Sequence, residues 1–231
     1  MKANILTIDW DYFFNAPLSV RDEKFPDNPN GALDYKPDNS VWLNFICPEV
    51  TFDKKSYTKI VRAIELLRFN SFSLTENHGE MYNFVKYLVN KKGVDRLTIT
   101  NIDYHHDYSY SGSIPQCDNW FRLIDDIVPC KKRWCKREDS ITTTFGDKVP
   151  VEIVTFEQIV EELKNGEYDN IHLCRSDLYS PPTNDFEFSN LGALFMLKSN
   201  DVFTYRGKIE DRSMISKTYN KTLKEEMKNN E

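Results

Sequence analysis

The chain has 231 residues, 40% hydrophobic and 29% charged, which is enough to bury the core of a single globular domain spanning residues 1–231. Its net charge of −6 argues against general affinity for nucleic acid or anionic membranes, and no apolar run reaches the roughly 20 residues that span a bilayer. Five cysteines without a disulfide spacing, and a first segment unlike a signal peptide, favour a cytoplasmic location.

Apolar runs alternate with helical spacings along the chain. Strands are predicted over residues 3–8, 97–102, 151–154 and 171–174, and the first two are expected to be buried. Helices are predicted over residues 56–68, 80–91, 156–164 and 213–231. Weaker patterns predict a short strand at 41–46, a buried element at 193–198 and a solvated basic loop at 130–137. Strands that alternate with helices favour an α/β fold with a mostly parallel sheet.

Acidic residues follow three of the predicted strands. In chain order they are Asp9 and Asp11, then Asp103 and Asp107, and finally Asp177. Parallel strands end at one edge of their sheet, and functional groups in such folds gather at that edge. We therefore expect these carboxylates to lie near one another.

The segment from Asn101 to Asp107 is the strongest candidate for a metal site. Asp103, His105 and Asp107 occupy alternate positions and would face the same side of an extended chain. Two carboxylates with an imidazole suit manganese, iron or zinc better than calcium or magnesium. A polar loop with solvated histidines is the simpler alternative. Charge this concentrated beside a buried strand is costly without a counter-ion, which favours a metal.

Three segments together resemble the metal motifs of the ureohydrolase superfamily, which includes arginase and agmatinase. They are Thr75-Glu76-Asn77-His78-Gly79, Asp103-Tyr104-His105-His106-Asp107 and Ser176-Asp177-Leu178-Tyr179-Ser180. Two segments, Ile8-Asp9-Trp10-Asp11-Tyr12-Phe13 and Asp177-Leu178-Tyr179-Ser180-Pro181-Pro182, are similar to the branch that contains the peptide arginases of ribosomal peptide biosynthesis. The resemblance implies a three-layer fold of the arginase and deacetylase type.

The resemblance also implies a set of ligands for two manganese ions, although one ion is possible. They are His78, Asp103, His105, Asp107 and Asp177. The family carries a second Asp two residues after Asp177, where this chain has Tyr179. Either Asp9 or Asp11 is a candidate to supply the missing carboxylate or to bind the guanidinium of the substrate.

The activity implied is hydrolysis of a guanidino group, converting arginine in a peptide to ornithine with release of urea. Asp107 or His106 would relay a proton to the departing amine. Asp185 and Glu187 are candidates to bind the guanidinium, because paired carboxylate hydrogen bonds suit that group. The expected partner is an arginine-containing peptide. The sequence leaves open whether free arginine or agmatine is used instead, and which oligomeric state the protein adopts.

Other functions remain possible on the sequence alone. A buried strand ending in Asp9-Trp10-Asp11 also resembles the haloacid dehalogenase-like phosphatases, although Phe13 stands where these have Thr or Val. A zinc deacetylase of the same superfold would use an Asp-x-His pair and a later Asp. A relative that binds an arginine peptide without turnover is the non-catalytic alternative.

Overall fold

A seven-stranded parallel sheet is the framework of the protein. The computed structural model describes residues 1–25, 39–110, 112–144, 147–204 and 209–229. The strands of the main sheet are β1 (Lys2–Asp9), β4 (Phe69–Thr75), β5 (Arg96–Ile102), β6 (Cys130–Cys135), β9 (Glu152–Ile153), β10 (Asn170–Cys174) and β11 (Ser199–Phe203). Two short antiparallel pairs are formed by β2 (Phe14–Asn15) with β3 (Thr51–Phe52) and by β7 (Thr143–Thr144) with β8 (Asp147–Lys148). The main sheet has the order β11-β4-β10-β1-β5-β6-β9.

Strand β1 lies in the middle of the sheet and sets the position of its carboxyl edge. Ile8 is in register with Leu173 of β10 on one side and with Ile102 of β5 on the other. Strand β10 in turn pairs with β4, so that Cys174 lies beside Thr75. All these pairings are parallel. The residues that follow β1, β4, β5 and β10 therefore meet at one edge.

Helices cover both faces of the sheet. They are α1 (Leu18–Lys24), α2 (Lys54–Ile64), α3 (Met81–Lys92), α4 (Trp120–Leu123), α5 (Phe156–Lys164), α6 (Asp185–Lys198) and α7 (Ser213–Asn229). Short 3-10 turns occupy Trp10–Phe13, Asn39–Asn44, His78–Glu80, Ile124–Asp126 and Pro182–Asn184. Helices α2, α5 and α6 bury their apolar residues with Leu6 and Ile8 of β1 on one face. Helices α3 and α4 bury theirs with Ala3 and Ile5 on the other.

The alternation of side chains along β1 explains this three-layer arrangement. Successive residues of a strand point to opposite faces, so a strand with helices on both sides must be apolar throughout. Residues 5–9 of β1 are all buried. The prediction of an α/β fold with a mostly parallel central sheet is confirmed.

Three local predictions are wrong. The buried element expected at 193–198 is the end of α6, where Met196 and Leu197 are 48% and 77% exposed. The expected strand at 41–46 is a 3-10 turn, Asn39–Asn44, in which Trp42 is buried and its Nε1 donates to the carbonyl of Asp177 over 2.7 Å. The expected solvated loop at 130–137 contains β6, an internal strand whose Lys132 and Arg133 are buried. Acidic partners neutralise these cations: Lys132 pairs with Asp125, and Arg133 pairs with Glu162 over 2.6 Å.

Among the described residues, no helix combines the length and apolar character needed to cross a membrane.

Candidate metal centre

Acidic and imidazole side chains converge at the carboxyl edge of the sheet. Asp9 ends β1, and Asp11 lies in the 3-10 turn that follows it. His78 opens the turn after β4, where Asn77 accepts a hydrogen bond from the amide of Gly79. Asp103, His105 and Asp107 follow β5. Residues that follow the three strands β1, β4 and β5 thus share one site.

Three carboxylate oxygens surround one nitrogen of His78. Its Nδ1 lies 3.0 Å from Asp9 Oδ2, 3.1 Å from Asp103 Oδ2 and 2.9 Å from Asp107 Oδ2. All four side chains are buried. One nitrogen carries at most one proton and cannot satisfy three carboxylates, and Nδ1 makes no hydrogen bond of good geometry with any described residue. A cation between these groups would satisfy them all.

A second group of ligand atoms lies beside the first. His105 Nδ1 is 3.1 Å from Asp11 Oδ2 and 3.9 Å from Asp103 Oδ1. Asp103 therefore faces both imidazoles, with Oδ2 toward His78 and Oδ1 toward His105. In each of the two groups, Asp9-His78-Asp103 and Asp11-Asp103-His105, the ligand atoms lie within 4.8 Å of one another. This buried cluster could hold a metal ion.

The ionisation of these groups reflects their crowding. Burial raises the pKa of Asp9 to about 7, and the nearby Asp11 and Asp103 add to the shift. Burial likewise raises the pKa of Asp103 to about 8, with contributions from Asp107 and Asp11. Burial opposes protonation of His105, but Asp11 outweighs it and raises the pKa of this imidazole to about 9. Protons and a metal ion would therefore compete for the same carboxylate and imidazole groups.

Hydrogen bonds hold the carboxylates in place. Trp120 Nε1 donates to Asp107 Oδ2 over 2.5 Å, and Ser176 Oγ donates to Asp9 Oδ2 over 2.5 Å. Asp107 and Ser176 both have positive φ, 50° and 47°, which is uncommon for residues other than glycine. Such backbone conformations persist when the surroundings impose them, and they concentrate at functional sites.

Behind His78, a buried chain of polar groups leads back through the sheet. His78 Nε2 and His172 Nδ1 each lie 2.8 Å from Thr7 Oγ1. His172 Nε2 lies 3.0 Å from Thr75 Oγ1. Burial lowers the pKa of His172 well below its usual range, and the charge of His78 lowers it further, so this ring is neutral. Both ring nitrogens of His172 are satisfied inside the core.

A cavity of about 410 Å³ opens over the cluster. It is lined by Asp9, Leu18, His78, Tyr104, His105, His106, Asp107, Ser109, Cys117, Asp118, Ile141, Thr143, Ser176 and Tyr179. The part of the wall formed by Ser109, Cys117 and Asp118 has no motif spacing that links it to the residues of the cluster. Sequence reasoning missed Cys117 and Asp118 for that reason.

Most of the predicted site residues meet in this cluster. His78, Asp103, His105 and Asp107 are there, together with Asp9 and Asp11. His106 lines the cavity, and its Nδ1 accepts from the amide of Tyr108 over 2.9 Å.

Asp177, Asp185 and Glu187 lie elsewhere. Asp177 belongs to neither ligand group, and its Oδ1 accepts from the amide of Leu178 over 3.0 Å. The preceding residue, Ser176, takes the position that faces Asp9. Asp185 forms a buried ion pair with Arg212 over 2.5 Å, and Glu187 lies half-buried in the first turn of α6, outside the cavity lining.

Comparisons with protein families, with curated proteins and with solved structures found no match to this chain.

Proposed function

We propose that this protein is a manganese-dependent hydrolase that removes urea from arginine side chains in a peptide. The observation that carries the proposal is the position of Asp103. One of its oxygens faces His78, and the other faces His105. A carboxylate shared in this way is what two adjacent metal ions require. Mixed oxygen and nitrogen donors favour manganese, iron or zinc over magnesium, and thus favour this reaction over a magnesium-dependent phosphatase.

The cluster divides into two sets of ligands. His78 Nδ1 with Asp9, Asp103 and Asp107 would hold one ion, and His105 Nδ1 with Asp11 and Asp103 would hold the other. Asp9 and Asp11 would thus supply the Asp-x-Asp pair that the resemblance places near Tyr179. Each carboxylate of the ureohydrolase motifs would then have a counterpart in this chain. The difference is that one pair, Asp9 and Asp11, follows β1 and not the neighbouring β10.

Ions held by these two sets of ligands would lower the pKa of bound water and so would supply hydroxide at neutral pH for attack on the guanidinium carbon. Collapse of the resulting tetrahedral adduct releases urea and needs a proton for the departing amine. His106 can provide it from the cavity wall. Burial and the neighbouring His105 lower the pKa of His106. Because its Nδ1 accepts from Tyr108, the neutral ring carries its proton on Nε2.

The cavity wall favours a guanidinium in a peptide over free arginine. Asp118 offers a carboxylate to the guanidinium at the wall beside Cys117. No lysine or arginine occurs among the described lining residues, so the carboxylate of free arginine would find no cation there. Leu18 and Ile141, 48% and 62% exposed, make the lining partly apolar, which suits a peptide chain.

Urea release from manganese-loaded protein tests the proposal. We expect an arginine-containing peptide to lose one CH2N2 unit per arginine by mass spectrometry, with an equal amount of urea. Free arginine and agmatine should react much more slowly. Asp9→Asn should abolish the reaction. Asp177→Asn, a matched change outside the cluster, should retain it.

Two outcomes would contradict the proposed reaction, and a third would contradict only the assignment of the ligands. Tight binding of the peptide without urea would support a non-catalytic binding protein. Release of phosphate from a phosphomonoester with magnesium would support the phosphatase. Loss of metal in Asp177→Asn, with Asp9→Asn unaffected, would restore the ligand set that the motif alone implied.

A further inference from the structure

A continuous hydrogen-bonded chain connects His78 to a backbone carbonyl inside the protein. His78 Nε2 lies 2.8 Å from Thr7 Oγ1, which lies 2.8 Å from His172 Nδ1. His172 Nε2 lies 3.0 Å from Thr75 Oγ1, and Thr75 donates to the carbonyl of Asn77 over 3.1 Å. The four side chains are at most 5% exposed, so solvent does not take part in the chain.

The register of the sheet builds this chain from three strands. Thr7 of β1 pairs with His172 of β10, and His172 pairs with Ser73 of β4. Thr75 lies two residues beyond Ser73 and therefore faces the same side of the sheet. The chain is thus a product of the fold, and its members are far apart in sequence.

The carbonyl of Asn77 gives the chain a direction. Thr75 donates its only proton to that carbonyl, so its oxygen accepts from His172 Nε2. A neutral His172 then has a lone pair on Nδ1, which accepts the hydroxyl proton of Thr7. The oxygen of Thr7 is left to accept from His78 Nε2. Each of the two hydroxyls donates once and accepts once, each ring nitrogen of His172 makes one hydrogen bond, and every contact has a donor and an acceptor.

We infer that Thr7, His172 and Thr75 are positioning residues that keep a proton on Nε2 of His78 and turn the Nδ1 lone pair toward Asp9, Asp103 and Asp107. In the reversed direction, a proton on Nδ1 would point at the three carboxylates and block coordination there. Groups that orient a metal-binding imidazole in this way commonly affect metal affinity by about 10–100-fold. The inference rests on the metal-binding part of the proposed function, not on the identity of the substrate.

Manganese titration of four proteins tests the inference. Calorimetry would compare the wild type with Thr7→Val, Thr7→Ser and Thr100→Val. Thr100 is a buried threonine of β5 whose hydroxyl accepts from Arg133 over 3.1 Å, so Thr100→Val is a matched control for packing. We expect Thr7→Val to weaken binding of one ion by about 10–100-fold. Thr7→Ser and Thr100→Val should remain near the wild type.

A spectrum of the wild-type protein provides a second measurement that needs no buried substitution to fold. Two-bond 1H–15N correlations of the zinc-loaded protein report which ring nitrogen of each histidine carries a proton, and through-bond correlations from the backbone assign the His78 signals. We expect a proton on Nε2 and the metal on Nδ1. A proton on Nδ1, or Thr7→Val affinity equal to that of Thr100→Val, would overturn the inference.

The outcomes separate this inference from the proposed reaction. Manganese binding that depends on Thr7, without urea release, would support the chain and overturn the hydrolase. Urea release with a manganese affinity that Thr7→Val does not change would do the opposite. A wild-type protein that binds neither manganese nor zinc would overturn both.

Discussion

Asp103 differs from Asp11 in its position, because its two oxygens face two different imidazoles. Its Oδ2 accepts from Asn101 Nδ2 over 3.0 Å, and its Oδ1 accepts from the amide of His105 over 2.8 Å. These contacts fix both oxygens while they face His78 and His105. Asp11, in contrast, approaches only His105 among the two imidazoles. The two residues should therefore differ in how many ions they affect.

We predict that Asp103→Asn removes both ions and that Asp11→Asn removes one. The amide cannot bridge two cations, whereas loss of Asp11 leaves the ligands around His78 intact. Metal content of the purified, manganese-loaded proteins would be measured by inductively coupled plasma mass spectrometry. Asp177→Asn serves as the control and should keep the wild-type content. Equal losses in Asp103→Asn and Asp11→Asn would argue against a shared carboxylate.

At the level of elements, the loop after β10 is held by the segment that precedes α7. Arg212 is fully buried and donates to the carbonyl oxygens of Asp177 and Ser180 over 2.9 and 3.2 Å. It also forms the two-pronged pair with Asp185 at the start of α6. The clamped loop carries Ser176, which contacts Asp9, and Tyr179, whose ring lies 5.4 Å from that of His105. Arg212 thus holds in place the loop that contacts the candidate metal site.

We predict that Arg212→Met lowers the free energy of unfolding by about 3 kcal/mol or more, because it leaves the buried carboxylate of Asp185 without its main partner. Arg175, 3.7 Å from Asp185, offsets part of this loss. Urea denaturation followed by circular dichroism gives the value. Lys221→Met, which removes an exposed ion pair with Glu225 in α7, is the control and should change stability by less than about 1 kcal/mol. Equal effects of the two substitutions on the free energy of unfolding would show that Arg212 contributes little to stability.

Helices and strands differed in how well local patterns predicted them. Helix α5, Phe156–Lys164, has the predicted bounds because Thr155 caps its first turn and its apolar stripe recurs at helical spacing. Strand β6 escaped prediction because its cations are neutralised by Asp125 and Glu162, partners that no local pattern can reveal. Strand β4 also escaped prediction, since Asn70, Ser71 and Ser73 interrupt its apolar run.

For the molecule as a whole, the cluster makes stability depend on pH in a defined direction. The folded-state pKa values are raised to about 7 for Asp9, about 8 for Asp103 and about 9 for His105. These three groups therefore hold more protons in the folded protein than in the unfolded chain between about pH 4 and 9, and their contribution to stability falls as the pH rises through that range.

We predict that the melting temperature of the chelator-treated protein falls steadily between about pH 5 and 9, because raised pKa values favour the folded state only while the protons remain bound. Manganese replaces those protons, so the stabilisation it confers should grow over the same range. Differential scanning fluorimetry with and without manganese measures both trends. Asp103→Asn should flatten the manganese effect, and a manganese shift independent of pH would contradict the cluster as described.

The sequence by itself determined the α/β class and most of the site. Alternating apolar strands and amphipathic helices predicted the layers, and the spacing of Asp103, His105 and Asp107 after a buried strand predicted that their side chains lie together, whereas His78 was added by the resemblance alone. These features depend on residues close in sequence, where periodicity and strand ends can be recognised. They required no knowledge of which strands are neighbours.

Only the tertiary structure decided which acids accompany those residues. Asp9, Asp11 and Asp177 all follow strands, and nothing local distinguishes them. The sheet order places β1 beside β5, which brings Asp9 and Asp11 to the two imidazoles, while the turn at Ser176 leaves Asp177 beside Arg212. Strand order arises from burial and pairing between segments up to about 170 residues apart, such as Thr7 with His172, and such pairings leave no periodic pattern in the sequence.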